Sequence, residues 1–235
     1  MKYKFYSVSI LMICALFFVH CASESPPGGG PPDTTSPVAL FLSISSGATN
    51  VDSMQTLRIE FSEPLNSKTL AKNITIFPLG EYDTDIRMQG KKLSITPNTP
   101  WKKNVVYTVI LGKNISDLRN NHLSEPIHIS FTTDSHIPQN SFRGSIANLK
   151  DNLSAVIYIS RKTAYPDSII SAPEYYTQSG PGGSFSFDYL PRDTFYIAGY
   201  IDLDKSNNYK ATFDGVCIPS KIHIVPDTLA QESLV

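Results

Sequence analysis

Cysteine, long apolar runs and the short motifs of catalysis are all scarce in this sequence. Three cysteines stand in 235 residues, Cys14, Cys21 and Cys217. They are too few and too scattered for the disulfide framework that holds many small exported domains together. The longest uncharged, largely apolar run, Tyr6 to Val19, is about fourteen residues, whereas a helix crossing a bilayer needs about twenty. No G-x-S-x-G, H-E-x-x-H or C-x-x-C occurs, so the compact arrangements that bring a nucleophile or metal ligands together are missing. Basic residues are not in excess either: 20 Lys and Arg face 21 Asp and Glu. Nothing in that balance attracts nucleic acid or an anionic surface.

The N-terminus carries a definite signal. Lys2 and Lys4 precede the short apolar run, the charge order of an export signal. Two processing routes fit: ordinary cleavage, or cleavage just before Cys21. The second resembles a bacterial lipoprotein signal, with Phe18 and Val19 in the lipobox and His20 where Gly, Ala or Ser is usual. That resemblance implies a signal peptide over 1–20 and an acylated Cys21. It further implies anchorage in a Gram-negative envelope, in the outer membrane because no Asp follows Cys21. Several acyl chains hold a protein on a bilayer where one holds it marginally. Residues 21–36 are rich in Pro and Gly, and such sequence stays extended, so they read as a tether. Loss of residues 1–20 removes two of the 20 basic residues, leaving 18 against 21 acidic and a net charge of −3.

Beyond the tether, short alternating runs recur every ten to fifteen residues with no long amphipathic helix, which predicts an all-β protein. In "LRIEFS" (57–62), Leu57, Ile59 and Phe61 alternate with Arg58, Glu60 and Ser62. "NITIFP", "KLSITP", "VVYTVIL" and "IHISFTT" continue the theme, and "NSKTLAKN" (66–73) predicts a helical turn capped by Asn66 or Ser67. The ordered series Gly47–Val51, Phe61–Pro64, Pro97 to Tyr107, Ile115–Asn121 and Phe131–Thr133 resembles a bacterial immunoglobulin-like domain. The resemblance implies a seven-stranded β-sandwich over 37–134 and no catalytic activity of its own.

The remainder, 140–235, is expected to form a second sandwich from "FRGSI", "SAVIYIS", "YYTQ", "GSFSFDYLP", "TFYIAGYIDLD" and "KIHIV". Its stretch 182–204 resembles the core of transthyretin-like or carboxypeptidase-regulatory-like sandwiches, with Phe185, Phe187, Leu190, Phe195 and Ile197 turned inward. The expected architecture is therefore two consecutive β-sandwich domains after a signal and a tether.

Candidate sites are few, and no catalytic set emerges. His122, His128, His136 and His223 are scattered over turns, strands and the inter-domain link, as solvated histidines are. Cys217 has no neighbour that would lower its pKa and reads as a small apolar filler. Trp101 offers a sugar-stacking ring but sits at a core position of the immunoglobulin-like pattern. "DLDKSNNYKATFD" spaces Asp202, Asp204, Ser206 and Asn208 at alternate positions, with Asp214 beyond. Oxygen ligands so spaced wrap calcium in some loops, while a polar hairpin with Asx turns accounts for the same residues. Asn207 stands where a calcium loop wants a residue able to adopt αL. The triplets starting at Asp33, Asp52, Asp167 and Asp227 resemble an O-glycosylation signal of some envelopes, with Thr34, Ser53, Ser168 and Thr228 as acceptors.

The function expected from all this is non-enzymatic: an envelope lipoprotein acting as spacer or adhesive module, in contact with an envelope protein or glycan. The alternative is an accessory carbohydrate-binding subunit of a glycan-processing system. A pocket with exposed aromatics and convergent polar groups favours that alternative.

Overall fold

The computed structural model describes residues 30–80, 82–150, 153–161, 170, 173–207, 209–217, 223–226 and 231–234. The chain divides into Met1–Asp33 and a body, Thr34–Val235. In the first unit, residues 30–33 are exposed and have no regular secondary structure. Every strand among the described residues lies in the body.

Seven strands make the first half: β1 (Ala39–Leu42), β2 (Leu57–Phe61), β3 (Ile74–Phe77), β4 (Thr84–Gln89), β5 (Lys92–Pro97), β6 (Val106–Leu111) and β7 (Ile127–Thr132). They form two facing sheets, β1-β2-β5-β4 and β3-β6-β7. Strand alternation dictates the packing: Leu57, Ile59 and Phe61 of β2 meet Leu93 and Ile95 of β5, Val109 of β6 and Phe131 of β7 in one core. Trp101, 4% exposed, belongs to that core, with its ring 4.8 Å from Tyr107 and edge-on to Phe131 at 5.4 Å. Its indole N–H donates to the Gln55 carbonyl at 3.3 Å. The short helix α1 (Ser67–Asn73) starts where Asn66 accepts a hydrogen bond from the Lys68 N–H at 3.1 Å. Two strands of this half, β1 and β4, are not among those expected from the sequence. Both are sheet edges with no fully buried residue, so their apolar alternation is weak.

The second half holds β8 (Asn140–Ile146), β9 (Ser154–Ser160), β10 (Tyr175–Gln178), β11 (Ser184–Leu190), β12 (Phe195–Asp202), β13 (Gly215–Cys217), β14 (His223–Ile224) and β15 (Gln231–Leu234). One sheet runs β10-β9-β12-β13, with β14 also on β12; the other is β11-β8-β15. Phe142, Ile157, Ile159, Phe185, Phe187, Phe195, Ile197 and Cys217 fill the space between them. The central strand β9 is buried along its whole length. Its other face carries Val156 and Tyr158, which join Ala198 and Tyr200 of β12 in a separate apolar layer.

Among the described residues no sheet crosses between the halves, and each half has its own core. They meet through a face of the first. Phe77 and Ile110, each 1% exposed, lie outside the first core. The Phe77 ring packs edge-on against Tyr176 at 5.1 Å and stacks on Tyr175 at 6.2 Å. A void of about 60 Å³ there is bounded by Ile110, Tyr176, Phe187 and Leu190, among others. Thr75 Oγ1 and the Tyr176 hydroxyl are 2.9 Å apart. Full burial of a Phe or Ile side chain contributes roughly 1.5–3 kcal/mol, so this seam is a substantial apolar contact. At its margin, Gly47 (φ +87°) lies under Tyr189. A Cβ there would come within 2.5 Å of the tyrosine hydroxyl, so only glycine permits the approach. Tyr189 itself has φ +60°, within the bulge that interrupts β11 pairing between Phe187 and Leu190.

Candidate functional site

Two places where the halves meet gather polar side chains. The larger is a cleft of about 760 Å³. Its floor is the outer face of β8 and β11, where strand alternation turns Arg143, Ser145, Ser184, Ser186 and Asp188 away from the core. Register places Ser145 opposite Ser184 and Arg143 opposite Ser186. Arg143 pairs with Asp188 at 3.2 Å, and Ser186 Oγ donates to the same carboxylate at 3.2 Å. His128 of β7 stands at the wall, its Nε2 3.3 Å from Thr177 Oγ1 of β10. This contact is no nucleophile–base pair, since Thr177 is fully buried and beyond reach of a substrate. Phe185, the one aromatic among the described lining residues, points inward at 5% exposure.

His128 faces the second half instead of being solvated as the strand pattern suggests, because the outer face of β7 is covered there. Burial pushes its pKa below the ordinary value, and the Asp188 carboxylate opposes that shift. The other charges around the cleft are Arg143 and Glu125.

The second place is the loop after β12, where the structure brings together three of the predicted ligands. Carboxylate oxygens of Asp202, Asp204 and Asp214 lie within 4.8 Å of one another. Asp202 is fully buried and Asp214 is 7% exposed. Loop backbone satisfies much of this charge. Asp202 accepts from the N–H groups of Ser206 and Asn207, both at 3.1 Å. Asp214 accepts from Leu203 at 3.2 Å and Lys210 at 2.7 Å. The Lys210 ammonium pairs with Asp204 and, with the Ser206 hydrogen bonds, holds its carboxyl down at about 2. Burial, reinforced by the two neighbouring acids, raises Asp202 instead. Tyr200, two residues back on β12, is fully buried, and its hydroxyl makes no hydrogen bond of good geometry. Asn208 lies outside the described residues.

Asn207 adopts the αL conformation (φ +56°) that the sequence position allows, and it reaches the first half. Its side-chain N–H donates to Asn73 Oδ1 at 2.6 Å, and its Oδ1 accepts from Gln178 Nε2 at 2.6 Å. Gln178 Oε1 in turn accepts the Lys113 N–H at 2.8 Å. Gly112 makes room for that amide, since a Cβ there would meet Gln178 Oε1 at 3.0 Å. Asn114 Nδ2 completes the set by donating to the Lys205 carbonyl at 3.2 Å. Sequence reasoning missed this clasp, because residues about 30 to 130 positions apart leave no local pattern.

The other expected sites are dispersed. Thr34 is exposed, and Ser53 sits in a turn where Asp52 accepts the Met54 N–H at 2.8 Å. Cys21, Ser168 and Thr228 lie outside the described residues. Cys217 is buried in the second core, which pushes its thiol up to about 11 and leaves it protonated. No helix among the described residues is long and apolar enough to cross a membrane.

Residues 33–133 match the family model of the bacterial Ig-like domain, so the first half is an immunoglobulin-like domain. No curated protein sequence matches the chain. Among solved structures, it is similar to an L,D-transpeptidase from Mycobacterium smegmatis (14% identity, 69% of this chain and 60% of that one, TM-score 0.32). It is also similar to the MG0-NIE-MG1 part of alpha-2-macroglobulin from Escherichia coli (12%, 77% and 71%, 0.33). A third likeness is the N-terminal part of the bacterial S-layer protein SbsC (13%, 84% and 44%, 0.30). The chain thus spans 60% of the transpeptidase chain. Scores this low describe local resemblance and bear on neither activity nor partners.

Two predictions follow from the geometry of these places. His128 is harder to protonate in the folded protein than in the unfolded chain. Its neutral form costs nothing above the unfolded value of about 6.5, and stability is lost as the pH falls below it. The melting temperature should drop from pH 7 to pH 5, and His128→Gln should flatten that drop; equal slopes would remove the histidine as cause. For the acidic loop, calcium has to displace Lys210 from Asp204. Millimolar calcium is expected to raise the melting temperature, as binding to the folded state alone must, and Asp204→Ala to abolish the rise. Identical curves in calcium and chelator would leave Lys210 and the loop N–H groups to hold the charge.

Proposed function

We propose that this chain is a lipid-anchored envelope module that works by contact, not catalysis. Acylation at Cys21 fixes it to the outer membrane, and residues 21–36 carry two sandwich domains clear of the bilayer. The first domain, 37–134, is immunoglobulin-like; the second, 140–235, is of the transthyretin-like or carboxypeptidase-regulatory-like kind. Their role is that of a spacer or adhesive arm facing another envelope component. An immunoglobulin-like domain is compatible with a structural or adhesive part.

One observation carries this reading: the seam between the halves is built to stay closed. Phe77 and Ile110 are buried there outside the first core, and the Asn73–Asn207–Gln178 clasp borders them. A stiff arm transmits position and force, which a spacer or adhesin requires. Flexible joints suit enzymes that close on substrate. The charge supports the same reading by disfavouring nucleic acid.

Anchoring is the part most simply tested. Wild-type protein should fractionate with membranes and incorporate a fatty-acid analogue, and Cys21→Ser should do neither. Unchanged labelling of Cys21→Ser, or a mature chain beginning at another residue, would defeat the proposal.

A further inference from the structure

We propose that the cleft between β7 and the β8–β11 face is a binding site for an uncharged oligosaccharide. The inference rests on the envelope reading only for the source of the sugar; the chemistry comes from the cleft. Its volume of about 760 Å³ falls within the range of small-ligand sites, which favour domain interfaces.

What lines it disfavours charged and apolar ligands. An anionic ligand needs surplus positive charge, yet Arg143 is the one cation among the described lining residues and is already paired with Asp188. A cationic ligand finds Glu125 and Asp188 with that same arginine beside them. A peptide bound by strand addition needs an open edge. The floor strand β8 is paired on both sides, by β11 and β15, which leaves strand addition to the sheet edges β7, β10 and β11 and makes peptide binding an outcome of the test below. On β11, Ser186, Asp188 and Leu190 border Ser46, His128 and Ser130 of the first half. An apolar ligand would find no greasy wall, because Phe185 turns inward.

What remains is a field of groups that both donate and accept. The Ser184 and Ser186 hydroxyls, which donate to the Pro181 carbonyl and to Asp188, keep lone pairs that accept; Arg143 has further N–H groups beyond the one on Asp188, and Asp188 accepts through two oxygens. Sugar hydroxyls likewise donate and accept from one atom. An aspartate–arginine pair flanked by serines can satisfy neighbouring hydroxyls of a ring in both senses. His128, whose pKa burial lowers, adds at the wall an imidazole that, when neutral, has a donor and an acceptor nitrogen. The absence of an aromatic platform among the described lining residues makes this a site of hydrogen bonds, with weak affinity and selectivity by hydroxyl orientation.

The test uses the detergent-solubilised full chain and two uncharged probes, the β-1,4-linked trimer of N-acetylglucosamine and maltotriose. Binding is read by saturation-transfer NMR and titration. At least one probe should bind saturably, and Arg143→Ala and Asp188→Ala should each weaken it tenfold or more. Ser184→Trp, at an exposed position on the floor, should abolish binding by filling the cleft while the melting temperature holds. That variant keeps the test decisive if loss of the ion pair unfolds the protein. No binding of either trimer, or binding that all three variants leave intact, would overturn the proposal. So would tighter binding of inorganic phosphate or of an acidic peptide. Because the protein is read in detergent, failure here leaves the anchoring proposal untouched, and Cys21→Ser should bind sugar normally.

Discussion

The outer face of the β3-β6-β7 sheet must be covered, and the rest of the molecule is arranged around that requirement. In a free immunoglobulin-like sandwich this face would meet water. Here it carries Phe77 and Ile110, both buried against tyrosines of the second half. The same contact borders part of β10 and β11, the outer strands of their sheets. One seam thus hides an apolar face and flanks two sheet edges. It also creates the cleft, which is the space left where β7 and the β8–β11 face diverge.

The seam is unusually polar at its borders, and that has a cost the structure meets. Gln178 is 1% exposed and Asn73 8%. An unpaired buried amide costs on the order of 1–3 kcal/mol. Asn207 supplies a partner to both, and it can do so because Asp202 fixes the loop through the N–H groups of Ser206 and Asn207. The acidic loop is therefore structural before it is anything else: its carboxylates organise the backbone that presents Asn207 to the first half. A cation at the loop would tighten the same clasp. Apolar packing gives the seam its strength, and the amide relay sets its register, since amides tolerate little misalignment.

Much of this was legible in the sequence where local periodicity carries the signal. The β2, β5, β6, β7, β9 and β12 runs, the Asn66 cap and the inward ranks of Phe185, Phe187 and Phe195 all follow from alternation and capping chemistry. Edge strands β1 and β4 escaped notice because one-sided exposure dilutes that alternation. In "NITIFP" the pattern marks a strand but cannot say that Phe77 faces outward into a partner and not into its own core. The polar clasp was invisible for a related reason. Asn73, Gln178 and Asn207 are ordinary turn and strand-end residues until the fold brings them together. The acidic loop was noticed for its spacing of oxygens, yet the role of Lys210 as its counter-charge and of Asn207 as its reach to the first half depended on tertiary placement.

The central claim is that the two sandwiches form one rigid body. It is tested most directly by pulsed electron spin resonance between labels on Arg87→Cys in β4 and Arg192→Cys after β11, two exposed positions in opposite halves. The buried, protonated Cys217 should not compete for the label. A single narrow distance distribution is predicted, broadening only when Phe77→Ala and Asn207→Ala are combined. A broad or bimodal distribution in the otherwise unaltered protein would contradict the account, because it would mean that the seam opens in solution.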